Sequence, residues 1–108
     1  MSGLGNLAPK KTYRVLIDSS SGTINVVAAV EGRKIRVTSM VLTVANAVQI
    51  DFESNTTVIG TMDFKASEPS FSTGYNPDGW LETATGEGLN IDQSGTILIS
   101  GFITYVLT

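Results

Sequence analysis

The sequence predicts an all-β protein, a single-domain antiparallel β-sandwich of jelly-roll type with about eight strands. Three observations predict this class. Short segments alternate between apolar and polar residues, turn signals separate them at intervals of about 8–12 residues, and no segment of ten residues has a helical period. A length of 108 residues is enough for one domain with a hydrophobic core.

The chain divides into an arm and one domain. Residues 1–11 are small, polar and rich in Gly, and they are predicted to form a flexible N-terminal arm. Residues 12–108 are predicted to form the sandwich. Its first strand begins at Thr12 and alternates to Ile17, and a second strand runs from Ile24 to Val30 before the turn signal that follows.

The third segment, residues 33–44, changes phase along its length. Ile35 and Val37 share one parity, whereas Leu42 and Val44 share the other. A slip of one residue indicates either a β-bulge or a strand that passes from one sheet to another. We favour the bulge.

The alternation of apolar and polar residues is cleanest in residues 48–53. Residues 48–53 and 58–65 are predicted to form a hairpin, and residues 66–79 a long polar connection with a short strand around Phe71. The second half is predicted to continue with a strand from Trp80 to Thr85 and a final hairpin that joins residues 89–92 to residues 96–107.

The last strand is apolar on both faces, which is typical of a central strand or of one at a subunit interface. One face carries Ile97, Ile99, Ile103, Tyr105 and Leu107. The other face carries Leu98, Phe102 and Val106, which are the candidate oligomer interface.

The segment from Tyr75 to Trp80 contains the only tryptophan of the chain. Pro77 fixes its own φ angle, and the following Asp and Gly favour a tight turn. We predict a structural turn that directs Trp80 into the core; it comprises Tyr75, Asn76, Pro77, Gly79 and Trp80. The alternative is that Trp80, Tyr75 and Phe71 stack on a sugar or a base.

Catalytic chemistry has little support. The chain has no His and no Cys, so paired carboxylates among Asp78, Glu82, Glu87 and Asp92 are the remaining candidates. Turn positions and outward strand positions explain these acids more simply, and we assign no catalytic residue, no cofactor and no metal site. Asn76, Asp78 and Glu82 offer the oxygen ligands that calcium prefers, so a calcium site there is left open although the chain lacks an Asp-x-Asp-x-Asp run.

Charge is distributed unevenly along the chain. Residues 1–36 contain six bases and two acids, a balance of +4, and residues 37–108 contain one base and eight acids, a balance of −7. The bases do not alternate with aromatic residues, so nucleic-acid binding is not expected. No apolar segment resembles a signal peptide or a membrane span, and synthesis in a cytoplasm is expected.

One motif is similar to that of a known family. The residues from Tyr75 to Leu89 read Tyr-Asn-Pro-Asp-Gly-Trp-x-Glu-Thr-x-x-Gly-Glu-x-Leu, and they follow the Lys34–Ser39 segment and an alternating hairpin. This arrangement resembles the small jelly-roll head decoration, or cement, proteins of tailed bacteriophages, over residues 24–107.

The resemblance implies a structural protein without enzymatic activity that forms a homotrimer and stabilises the outside of the capsid. The expected partners are further copies of the chain and the major capsid protein, and the expected location is the virion after synthesis in the host bacterial cytoplasm. Lys10, Lys11 and Arg14 are the candidate capsid-binding residues of the arm. The alternatives are a receptor- or glycan-binding jelly roll of a tail or head fibre, a carboxylate enzyme, and a cellular β-sandwich.

Overall fold

The computed structural model describes residues 11–108, which form two antiparallel sheets packed face to face. These residues contain no helix, and therefore no helix that is long and apolar enough to cross a membrane. The strands are β1 (Tyr13–Ser19), β2 (Thr23–Val27), β3 (Ile35–Val44), β4 (Val48–Ser54), β5 (Thr57–Phe64), β6 (Ser70–Ser72), β7 (Leu81–Glu82), β8 (Leu89–Gln93) and β9 (Ile99–Leu107). The predicted fold class is confirmed. The predicted arm lies almost entirely outside the described residues.

The strand order corresponds to a jelly roll. The first sheet has the order β1-β9-β3-β6, and β7 also pairs with β3; the second sheet has the order β2-β8-β4-β5. The chain therefore passes repeatedly between the two sheets, as in other double-sheet sandwiches. β6 and β7 lie along the same edge of β3, at residues 41–43 and 36–37 respectively. They act as one edge strand that residues 73–80 interrupt.

Apolar side chains from both sheets fill the space between them. Strand alternation places every second residue in this layer. The apolar residues that are almost completely inaccessible are Ile35, Val37, Met40, Leu42, Ile50, Phe52, Leu89, Ile91, Ile99 and Ile103. This layer is the hydrophobic core, and it leaves the outer face of each sheet available for other roles.

The phase change in β3 is a β-bulge, as predicted. The register with β9 shifts between Val37, which pairs with Tyr105, and Ser39, which pairs with Thr104. Thr38 is the additional residue; it is buried, and its hydroxyl lies 2.8 Å from the hydroxyl of Thr104. The bulge lets the alternation resume with Met40, Leu42 and Val44 directed into the core.

The hairpin of β4 and β5 and the short strand around Phe71 are confirmed. Two other predictions were wrong. The strand expected over residues 80–85 is only Leu81–Glu82, and β8 and β9 belong to different sheets and form no hairpin. The link between them is stabilised by Gln93, whose side-chain amide donates to the carbonyl oxygens of Ser21 and Ile97 and accepts from the Ile97 N–H.

Candidate interaction sites

The outer face of the first sheet carries an apolar row flanked by small hydroxyl side chains. Directly paired residues of antiparallel strands share one face of a sheet. The three paired rows are Arg14–Thr104–Ser39, Leu16–Phe102–Val41–Ser72 and Asp18–Ser100–Thr43–Ser70. We call these eleven residues the hydroxyl face. Most of its side chains are short, so the face is flat.

The apolar row of the hydroxyl face is uncovered. Leu16 is 74% exposed, and Phe102 and Val41 are half-buried beside it. Leu16 is the most exposed because β1 is the edge strand of its sheet. Exposed apolar side chains that adjoin one another indicate a surface that another molecule covers. Leu16 and Val41 were not predicted from the sequence as site residues, although Leu16 has the parity of Arg14 and therefore lies on the face of β1 opposite to its core residues.

The outer face of the second sheet has a different character. Asp51 pairs with Asp92, Glu53 pairs with Asn90, and Gln49 pairs with Asp63. Partial burial raises the pKa of the Glu53 carboxyl above its ordinary value, and the nearby Asp92 and Asp51 carboxylates raise it further. We call this surface the acidic face. Its carboxylates repel one another, and the repulsion disfavours the ionised form of Glu53.

The predicted structural turn forms around Pro77. The N–H of Gly79 donates to the carbonyl oxygen of Asn76 across 2.9 Å, and the Asn76 side-chain oxygen accepts from the N–H of Asp78 across 3.0 Å. Asn76, Pro77, Asp78 and Gly79 thus occupy the four positions of a β-turn, with Pro second and Gly fourth. The turn lies along the edge of β3, where the N–H of Trp80 donates to the carbonyl oxygen of Val37.

The prediction that Trp80 points into the core was wrong, because its side chain is 49% exposed. The indole N–H donates to the carbonyl oxygen of Gly74 across 2.9 Å, which holds the ring at the protein surface. A buried indole needs a partner for its N–H. Residues 66–79 supply this partner, the carbonyl oxygen of Gly74, at the rim of the sandwich. Tyr75 and Phe71 are also exposed.

Trp80 lines a cleft of about 210 Å³ that opens between the edge strand of the second sheet and the interrupted edge of the first. Its lining is mostly apolar and comprises Met40, Phe52, Gly60, Thr61, Met62, Phe71, Thr73, Trp80 and Leu81. The hydroxyl of Thr61 donates to Asp51, and that of Thr73 accepts from the N–H of Met40. The cleft therefore offers an aromatic wall and few free polar groups.

The structure separates the residues of the predicted oligomer interface. Leu98 is 45% exposed, Phe102 belongs to the hydroxyl face, and Val106 is only 5% exposed. Val106 pairs with Arg36 at a part of the first sheet that is covered within the chain. An apolar contact with another copy is therefore open to Leu98 and Phe102, while Val106 presents almost no surface.

The predicted capsid-binding residues lie in different settings. Arg14 is exposed on the hydroxyl face. The ammonium group of Lys11 lies 5.1 Å from the centre of the Tyr13 ring, a cation–π distance. Lys10 lies outside the described residues. Lys11 also shares a surface depression with Arg33, so the start of β1 is basic.

Of the acids considered for catalysis or calcium binding, Asp78 is exposed in the turn, and the other three have separate partners. Glu82 pairs with Arg36 across 2.8 Å and with Lys34 across 3.9 Å, and both charges disfavour a cation at that carboxylate. Glu87 accepts from the hydroxyl of Ser54, and Asp92 accepts from that of Thr23. Within residues 11–108 no three His, Cys, Asp or Glu side chains converge as a metal site would require.

No known protein-family model matches the chain, and no significant match was found among curated proteins.

Proposed function

We propose that this protein is a structural component of a bacteriophage virion, without enzymatic activity, that binds the outside of the capsid and stabilises it. The observation that carries this proposal is the contrast between its two outer faces. The hydroxyl face is flat, and in its three rows only Arg14 and Asp18 are charged. The acidic face carries Asp51, Glu53 and Asp92.

The two faces suit two environments. Small hydroxyl groups and an apolar row can be buried in a contact at low desolvation cost, whereas clustered carboxylates are stabilised by water. A protein that binds only the assembled shell opposes its disassembly by mass action. A homotrimer, which the resemblance to decoration proteins implies, would attach at several points and strengthen binding without tight individual contacts.

The experiment that tests this proposal is co-sedimentation with undecorated capsids of the parent phage. Leu16→Glu places a charge in the apolar row of the hydroxyl face and is expected to reduce binding at least tenfold. Val58→Glu is the matched control, because Val58 is also an exposed apolar residue but lies beside Glu53 on the acidic face. Equal binding by both variants and the wild type would contradict the role of the hydroxyl face, and no binding by the wild type would contradict the function.

A second candidate function is glycan or receptor binding as part of a tail or head fibre. The exposed aromatic rings of Trp80, Tyr75 and Phe71 support it, because such rings stack on the apolar faces of sugars. A glycan array tests this function, with Trp80→Ala as the comparison. Signals that disappear in the variant would support it, and an array without signals above background would contradict it.

A further inference from the structure

The edge strand β1 presents a basic, an apolar and an acidic side chain on the hydroxyl face. Arg14, Leu16 and Asp18 alternate with the inward residues and are all exposed. Successive residues on one face of a strand are separated by about 7 Å. The two opposite charges therefore lie at similar distances on either side of Leu16.

The neighbouring strands continue this pattern without obstruction. Thr104 and Ser39 lie beside Arg14, and Ser100 and Thr43 lie beside Asp18. These side chains are short and carry hydroxyl groups that can both donate and accept. A second flat surface can therefore approach the apolar row closely.

We propose that two copies of this chain dock through their hydroxyl faces around a two-fold axis. The axis lies in the plane of the contact, perpendicular to the strands, at the level of Leu16 and Phe102. Leu16 then packs against Leu16 of the partner subunit. Arg14 lies opposite Asp18 of the partner subunit, and the symmetry repeats this pair once.

Charge complementarity identifies the occupant as a second copy. A two-fold contact joins identical patches that must be complementary to themselves. Reversing the strand direction brings each Arg14 over an Asp18, whereas parallel strands would bring like charges together. Docking of the hydroxyl face on the acidic face would place Asp18 among carboxylates such as Asp51 and Asp92, which disfavours that arrangement.

The two-fold contact rests on the proposed function, in which a virion protein associates with further copies of itself, and it specifies how two copies meet. Two single copies or two trimers can be joined in this way, so the number of copies in the assembly is even in either case. Both contacts use the hydroxyl face, so a second copy covers it in the free protein and the shell takes the place of that copy on the capsid. The two-fold contact is measured as assembly mass without capsids, and the capsid function is measured as co-sedimentation of the wild type, so failure of one is distinguishable from failure of the other.

Charge reversal with mutual rescue tests the proposal. Arg14→Glu and Asp18→Arg each place like charges opposite one another at both pairs, and native mass spectrometry is expected to show a twofold fall in assembly mass for each variant alone. An equimolar mixture is expected to restore the full mass with equal numbers of the two variants, because Glu at position 14 then faces Arg at position 18. Lys65→Glu, which changes an exposed charge on another surface, is the control and is expected to keep the wild-type mass.

Circular dichroism of each variant verifies that the fold is retained. Full assembly mass in Arg14→Glu alone would overturn the proposal. So would a wild type with an odd number of copies, or folded single variants whose mixture fails to restore the mass.

Discussion

The N–H of Asn76 donates to the carbonyl oxygen of Thr38 across 2.8 Å, and this bond joins the two irregular parts of the first sheet. Thr38 is the bulged residue of β3, and Asn76 begins the turn that interrupts the edge strand formed by β6 and β7. A bulge leaves one residue out of the ladder with β9, and its backbone groups need other partners. The turn supplies one. The bulge and the turn are therefore parts of one local structure.

Substitution of Gly79 by Ala tests how tightly this turn is held. Gly79 has φ +85°, a conformation that disfavours side chains, and an added Cβ would overlap the Cγ of Arg36. We expect the free energy of unfolding to fall by about 1–3 kcal/mol. Urea denaturation measures this change. Gly74→Ala is the matched control, because nothing lies within 4 Å of an added Cβ there. Equal stability of the two variants would contradict the strain at Gly79.

Gln93 is expected to be essential for the link between β8 and β9. It is buried, and its side chain satisfies the carbonyl oxygens of Ser21 and Ile97 and the N–H of Ile97. Gln93→Met keeps a similar length but leaves these groups without partners, and a loss of about 2–4 kcal/mol is expected from unsatisfied buried groups. Thermal and urea unfolding measure it. Gln49→Met, at an exposed position of β4, should change stability by less than about 0.5 kcal/mol.

The sequence predicts those parts of the fold in which alternation and burial coincide. The β4–β5 hairpin and the bulge in β3 are visible in the parity of apolar residues. The link between β8 and β9 was interpreted as a hairpin because Gln93-Ser94-Gly95 has the composition of a turn. Composition does not show whether the strands that flank a turn pair with each other or enter different sheets.

The candidate sites were harder to predict, since they depend on contacts between distant residues. The orientation of Trp80 is determined by the carbonyl oxygen of Gly74, which the turn brings within reach of the indole. The row of Leu16, Phe102 and Val41 combines three strands, so it emerges only from their register.

Removal of residues 1–11 tests the predicted capsid-binding arm. Lys10 and Lys11 are lost in this variant. We expect binding to undecorated capsids to be abolished and the number of subunits in the assembly to stay the same. Co-sedimentation and native mass spectrometry measure the two properties. Lys10→Ala combined with Lys11→Ala keeps the length of the arm and separates charge from contact area. Unchanged capsid binding by the truncated protein would contradict the arm's role.

The acidic face is expected to make stability depend on pH. Partial burial, followed by the Asp92 and Asp51 carboxylates, raises the pKa of Glu53 in the folded protein above its ordinary value of 4.5. Between the unfolded and folded pKa values the native state binds more protons than the unfolded state, so the free energy of unfolding falls as pH rises through this range. Glu53→Gln removes the ionisation, and we expect it to raise stability at pH 7 relative to the wild type. The difference should disappear below the pKa of 4.5, where the carboxyl is protonated in both states.

Urea denaturation across this range measures the effect, and Glu31→Gln in an exposed turn is the control. A Glu53→Gln variant less stable than the wild type at pH 7 would show that Glu53 makes a net favourable contact instead.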